Sequence, residues 1–82
     1  MARVMLTRTF ARQFAGGRTE HEVPGTTIRH LIRGLDERYP GIAERLGAGV
    51  AVAIDGEIHQ NAFLEDVRPD SEVCFIPALE GG

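Results

Sequence analysis

Residues 24–40 read PGTTIRHLIRGLDERYP, and the architecture follows from how this stretch is interpreted. Pro24 and Gly25 break any preceding strand, Thr26 offers a side-chain oxygen to the first unpaired amides, and Ile28, Leu31, Ile32 and Leu35 recur at helical spacing. One face of the resulting helix is apolar. Arg29, Arg33, Asp36 and Glu37 fall mostly on the other. Tyr39 precedes Pro40, whose ring disfavours helical torsions in the residue before it, so the helix is expected to end there.

A helix with a single apolar stripe must bury it against something, and the flanking segments supply strands. Upstream, Val4 and Leu6 share one parity of an extended segment. Gly16 and Gly17 form a turn, and RTEHEV (18–23) reads as a second, more polar strand, so a β-hairpin is expected. Phe10 and Phe14 either prolong the first strand or sit in a wide loop before the glycines. Downstream, GIAERLG (41–47) places Ile42 and Leu46 four apart and finishes on Gly47, a suitable cap for a short second helix.

In VAVAID (50–55), Val50, Val52 and Ile54 alternate with alanines, giving one large apolar face and one small face. Asp55 and Gly56 make a strong two-residue hairpin signal leading into the return segment EIHQNAF (57–63). RPDS (68–71) has the composition of a type I turn, and EVCFI (72–76) is the last strand. The order predicts an α+β chain: a mixed sheet of four to five strands with one long helix across one face and a short second helix. That is a β-grasp arrangement. Parity in the last strand puts Val73 and Phe75 under the helix and leaves Cys74 and Ile76 on the open face.

With 82 residues the chain is one small domain, expected to span 1–77 and to be followed by a flexible tail at 78–82. Its 43% hydrophobic and 26% charged residues are ordinary for a soluble protein, and no apolar run approaches the roughly 18 residues of a membrane span. The opening MARVMLTRTF lacks an apolar signal core, so secretion is not expected. A lone cysteine precludes an internal disulfide and suits a reducing, cytoplasmic setting. The net charge is −3 with scattered basic residues, so no stripe for nucleic acid is present. All nine basic residues are arginine, which removes any phosphate-binding or Schiff-base lysine and any side-chain amine for isopeptide chains.

The chain closes on FIPALEGG (75–82). Paired glycines alone say little, since Gly16 and Gly17 need only a turn. Gly81 and Gly82, however, follow a buried strand by a few residues and carry the terminus on a short lead. Without Cβ, such a lead can thread a narrow channel where bulkier residues would jam. A terminal carboxylate, with a reference pKa of about 3.3–3.7, is ionised at neutral pH and can attack the α-phosphate of ATP to give an acyl-adenylate. No phosphate-cradling loop is present, so the nucleotide site and its ATP belong to a partner, and this chain is expected to bind no cofactor itself. Pro77, with fixed φ and no amide hydrogen, ends sheet pairing and aims the tail outward.

Over nearly its whole length the chain resembles the MoaD/ThiS family of ubiquitin-like sulfur carriers: TTIRHLIRGLDERYPGIAERL as the helical middle, VAVAIDGE as the hairpin strand, and DVRPDSEVCFIPALEGG as the closing strand and tail. In the small subunit of molybdopterin synthase two prolines usually precede the tail, whereas here Ala78 follows Pro77. The ending and the YPGIAERL stretch are as similar to carriers serving cysteine synthesis. The resemblance implies a cycle in which an E1-like adenylating enzyme activates Gly82, a sulfur donor converts the adenylate to a thiocarboxylate, and an acceptor takes the sulfur. That acceptor is a molybdopterin synthase large subunit, a thiazole synthase or a cysteine synthase. It also implies that Ile76, Pro77, Ala78, Leu79 and Glu80 meet these partners. The other readings are a ubiquitin-like modifier joined through Gly82 to amines, and a β-grasp interaction module with an idle tail. No nucleophile, base and orienting group assemble into an enzyme site.

Other reactive residues read as structural. Cys74 lies within a strand, where cysteine behaves as a small hydrophobe. His21, His30 and His59 sit on separate elements without metal-ligand spacing and are expected to be solvated or capping. Asp36, Glu37, Asp66 and Asp70 are expected to be solvated charges.

Overall fold

The computed structural model describes residues 1–46, 50–60, 62 and 64–77. In chain order its elements are β1 (Ala2–Leu6), α1 (Arg8–Phe14), β2 (Glu20–Val23), α2 (Ile28–Arg38), α3 (Ile42–Leu46), β3 (Val50–Ile54), β4 (Glu57–His59) and β5 (Glu72–Pro77). The five strands form one sheet in the order β2-β1-β5-β3-β4. Only β1 and β5 pair in parallel; the other neighbours are antiparallel. This is the mixed β-grasp sheet expected from the order of elements, at its five-strand limit.

Helix α2 forms as its spacing predicts, burying Ile28, Leu31, Ile32 and Leu35. Its N-cap is Thr27 rather than Thr26: the Thr27 hydroxyl accepts from the His30 amide at 3.3 Å. Thr26 serves the neighbouring loop, its carbonyl accepting from Val67 N–H at 2.9 Å while its own N–H donates to His30 Nδ1 at 3.2 Å. The helix stops before Pro40 as expected, with Tyr39 N–H donating to the Leu35 carbonyl at 2.8 Å. Asp36, expected to be solvated, instead accepts from the Gly41 and Ala43 amides at 3.0 and 3.1 Å and organises the start of α3. Gly47, the expected cap of α3, lies outside the described residues.

The first connection is not a hairpin loop. Residues Arg8–Phe14 are helical, so Phe10 and Phe14 neither prolong β1 nor occupy a wide loop. The Thr7 hydroxyl accepts from Phe10 N–H at 3.3 Å, which ends the strand and starts the helix. Phe10 and Ala11 are then turned into the core, and Phe14 packs against it from one turn further on. Gly16 and Gly17, at φ +62° and +90°, turn the chain back into β2.

The other two turns form as read. Asp55 and Gly56 both have positive φ, 49° and 90°, as a two-residue hairpin requires. Asp55 Oδ1 also accepts from Glu72 N–H at 2.9 Å, tying this turn to the start of β5. In the turn at 68–71, Ser71 N–H donates to the Arg68 carbonyl at 3.0 Å and Ser71 Oγ accepts from Arg68 N–H at 2.8 Å. Val4, Val73 and Phe75 are fully buried in one apolar cluster with Ile28, Leu31 and Leu35.

His21 departs from the solvated or capping role expected of it. It shares the inward parity of Val23 on β2 and is 3% exposed. Its Nε2 hydrogen-bonds the Tyr39 hydroxyl at 2.9 Å, and the Tyr39 ring meets it edge to face. Nδ1 is buried without a partner. Burial first, then repulsion from Arg18 and Arg38, lowers the His21 pKa below the ordinary 6.5, so the ring is held neutral. His30 is the capping histidine, and His59 lies 3.7 Å from Glu57.

Two predictions follow from this packing. A Cβ at Gly34 would lie 2.7 Å from Val23 Cγ1, so glycine sets how closely α2 approaches β2. Gly34→Ala adds roughly 1 kcal/mol of helix propensity but overpacks a buried contact at a cost of about 1–3 kcal/mol. Net destabilisation of about 1 kcal/mol is expected, and Val23→Ala should relieve it in a double-mutant cycle read by urea unfolding. For His21, the unfolded chain takes up a proton near the ordinary 6.5 while the folded chain resists it. Stability from the neutral ring is therefore complete above pH 6.5 and is lost as pH falls below that value toward the lowered folded pKa. Thermal midpoints measured from pH 7.5 to 5 should fall, and His21→Phe should flatten that slope.

Candidate functional site

Strand β5 occupies the centre of the sheet although it comes last in the sequence. It runs parallel to β1, with Val4↔Val73 and Leu6↔Phe75, and antiparallel to β3, with Val52↔Phe75 and Val50↔Pro77. Both of its edges are therefore hydrogen-bonded, and Pro77 is its last residue. Pro77 suits the end of a strand because it has no N–H to donate onward.

Parity splits β5 between two roles. Val73 and Phe75 are fully buried on the helix side, while Cys74 and Ile76 are half-buried on the open face, as expected. Directly paired residues share a face, so the register assembles rows across that open face. One row runs Glu20, Met5, Cys74, Ala53 and Ile58. The next row, nearer the end of β5, sets Ile76 beside Ala51. The row on the other side is charged: Glu22, Arg3 and Glu72, with Arg3 and Glu72 in a 3.3 Å ion pair.

The face thus changes from charged at the start of β5 to apolar near Pro77. Ala51 and Ala53, the small face of β3, keep it shallow, and Ile58 at its margin is 66% exposed. Met5 and Ile58 were not singled out in the sequence. The only signal for them was strand parity, which has no consequence until the register is known. Cys74 lies in the middle of this face, and burial raises its thiol pKa, so it is held as a thiol rather than a thiolate.

Of the terminal residues identified in the sequence, Ile76 and Pro77 belong to β5, and Ala78, Leu79, Glu80, Gly81 and Gly82 lie outside the described residues. Of the acidic residues expected to be solvated, Asp36 instead caps a helix, and the backbone of Asp66 forms a β-bridge with that of Thr27. Among the described residues, no group of three His, Cys, Asp or Glu is placed to hold a metal ion, and no helix is long and apolar enough to cross a membrane.

Comparison with known proteins agrees with this geometry. The model of the ThiS family matches residues 9–82. A molybdopterin synthase sulfur carrier subunit from Pyrenophora tritici-repentis is 31% identical over 75 residues, covering 88% of this chain and 81% of that protein. A chain in the crystal structure of the Amycolatopsis orientalis BexX/CysO complex superposes with a TM-score of 0.86 at 22% identity, over 100% of both chains. The small archaeal modifier protein 1 from Methanosarcina acetivorans superposes with a TM-score of 0.81 at 18% identity, over 99% of this chain and 95% of that one. At such identities the two structures speak for the β-grasp fold alone. The family match, which takes in the central strand and everything after it, speaks for more: this chain belongs to the ThiS family of ubiquitin-like sulfur carriers.

Proposed function

We propose that Gly82 carries the sulfur, at the end of the diglycine-terminated segment 78–82. The observation that carries this reading is the family match running through Gly81 and Gly82, beyond a central strand that finishes at Pro77. In the proposed cycle an E1-like adenylating enzyme binds ATP, and the Gly82 carboxylate oxygen attacks the α-phosphorus, expelling pyrophosphate. A sulfur nucleophile such as hydrosulfide then attacks the acyl carbon, AMP leaves, and a thiocarboxylate remains. This chain acts as substrate and partner of enzymes, and the ATP site is the partner's.

The apolar end of the open face, with Ile76 beside Ala51, supports docking of the partner around the root of the tail, where Leu79 and Glu80 would follow it. The P. tritici-repentis relative makes a molybdopterin synthase large subunit the first acceptor to test, followed by cysteine synthase and thiazole synthase. An ATP-dependent carrier with a reduced thiol suits the cytoplasm.

Intact mass spectrometry tests the proposal. After incubation with ATP, an adenylating enzyme of the family and hydrosulfide, the chain should gain the mass difference between one sulfur and one oxygen. Deletion of Gly82 should abolish the change. Cys74→Ala should leave it intact, since the raised thiol pKa disfavours a thiolate there. With a polysulfide in place of hydrosulfide as donor, addition of a whole sulfur atom that is lost in Cys74→Ala would instead assign the sulfur to the cysteine. Covalent ladders with other proteins would assign the chain as a modifier.

A further inference from the structure

The sheet ends on one side at β2, and the hydrogen-bonding direction of that strand can be read from its partner. Leu6 N–H donates to the Thr19 carbonyl at 2.8 Å. Antiparallel pairs alternate, so Val4↔His21 and Ala2↔Val23 are the hydrogen-bonded pairs, and Glu20 and Glu22 direct their backbone N–H and C=O groups away from β1. The Arg38 guanidinium shows the same direction, since its Nη2 donates to the Glu22 carbonyl at 2.6 Å. A recess of about 580 Å³ runs beside this edge, its walls including Arg18, Arg38, Tyr39, Glu20 and Glu22.

Charge is segregated across the edge. Glu20 and Glu22 are exposed on the open-face side, and the nearest cation there, Arg3, is engaged with Glu72. On the helix side, Arg38 of α2 lies close enough to His21 to repel a proton from it. An arriving strand would meet acid on one face and base on the other. We propose that the β2 edge is a docking site for an extended segment of a partner protein, which adds as a sixth strand, pairs with the outward groups of Glu20 and Glu22, and places basic side chains against their carboxylates. Alternate residues of that segment, facing Arg38, are acidic.

A second copy of this chain is the wrong occupant. Pairing β2 with itself would set Glu20 and Glu22 opposite the same carboxylates, and like charges directly across a ladder are destabilising. Arg38 closes the edge in the free protein by occupying one outward carbonyl, a common protection for exposed strands. A partner strand displaces it and offers it a carboxylate instead. Because β1 separates β2 from β5, the docked strand lies roughly 10–15 Å from β5, so it can hold the carrier while Ile76 and the tail are in use.

The test uses the full chain, isotopically labelled, and a short capped peptide of alternating Lys and Glu. Saturating peptide should slow hydrogen exchange at the Glu20 and Glu22 amides. Glu20→Lys with Glu22→Lys, both exposed, should weaken binding about tenfold or more without altering the remainder of the spectrum. The same peptide N-methylated at alternate residues, which cannot pair along its backbone, should not bind. Equal binding of the methylated peptide would reduce the site to a charge patch and overturn the proposal. Absence of protection at the two amides, or protection that follows protein concentration without peptide, would overturn it as well.

Discussion

The double-sided pairing of β5 is the constraint on which the rest of the structure depends. Among the described strands it comes last in the sequence and sits in the middle, so β1 and β2 on one side and β3 and β4 on the other are joined into one sheet through it. Its pairing with β1 links Arg3 to Glu72, across nearly the whole chain. Such a contact closes a long loop, which is entropically costly and is repaid only by pairing along both edges and burial of Val73 and Phe75. The root of the C-terminal segment is thus among the firmly held parts of the molecule.

The same strand supplies the surface that a partner of the tail would meet. Alternation means that firm burial of Val73 and Phe75 dictates the outward placement of Cys74 and Ile76. Shifting the register by one residue would expose Phe75 and bury Glu72, so the core that stabilises the fold also specifies which residues form the open face. The turn at Asp55 reinforces that register: its carboxylate and backbone amide are both bonded to Glu72, at 2.9 Å each. Fold stability and site geometry are therefore properties of one ladder rather than of separate regions.

Much of this was legible in the sequence where the signal is local. The spacing of Ile28, Leu31, Ile32 and Leu35, the Asp55 and Gly56 turn and the turn at 68–71 each act over a few residues, and all form as read. The first helix was misread because Val4 and Leu6 run directly into it. The four-residue step from Phe10 to Phe14, with Ala11 beside it, was the available helical signal. His21 was misjudged for a different reason: its partner Tyr39 lies 18 residues away at the end of α2, and nothing local announces the pair. The open-face row through Met5, Cys74, Ala53 and Ile58 is likewise a product of register, which depends on contacts spread across the chain. The terminal glycines were read from chemical type rather than from packing, and they lie outside the described residues.

The position of Cys74 bears on why a carrier of this architecture would use a carboxylate although it has a thiol. The thiol is half-buried in the central strand, where burial disfavours the charged thiolate needed to accept or donate sulfur. It is also fixed by pairing on both sides, so sulfur held there could reach only a partner able to approach a shallow sheet face. In the proposed cycle the sulfur is held instead by the Gly82 carboxyl group. Under that proposal a partner's nucleotide would activate its acyl carbon, and the chain would leave with the sulfur attached. A fixed ladder and a reacting terminus make different demands on the backbone. The proposed division at Pro77 meets both, giving the sheet to recognition and the terminus to transfer.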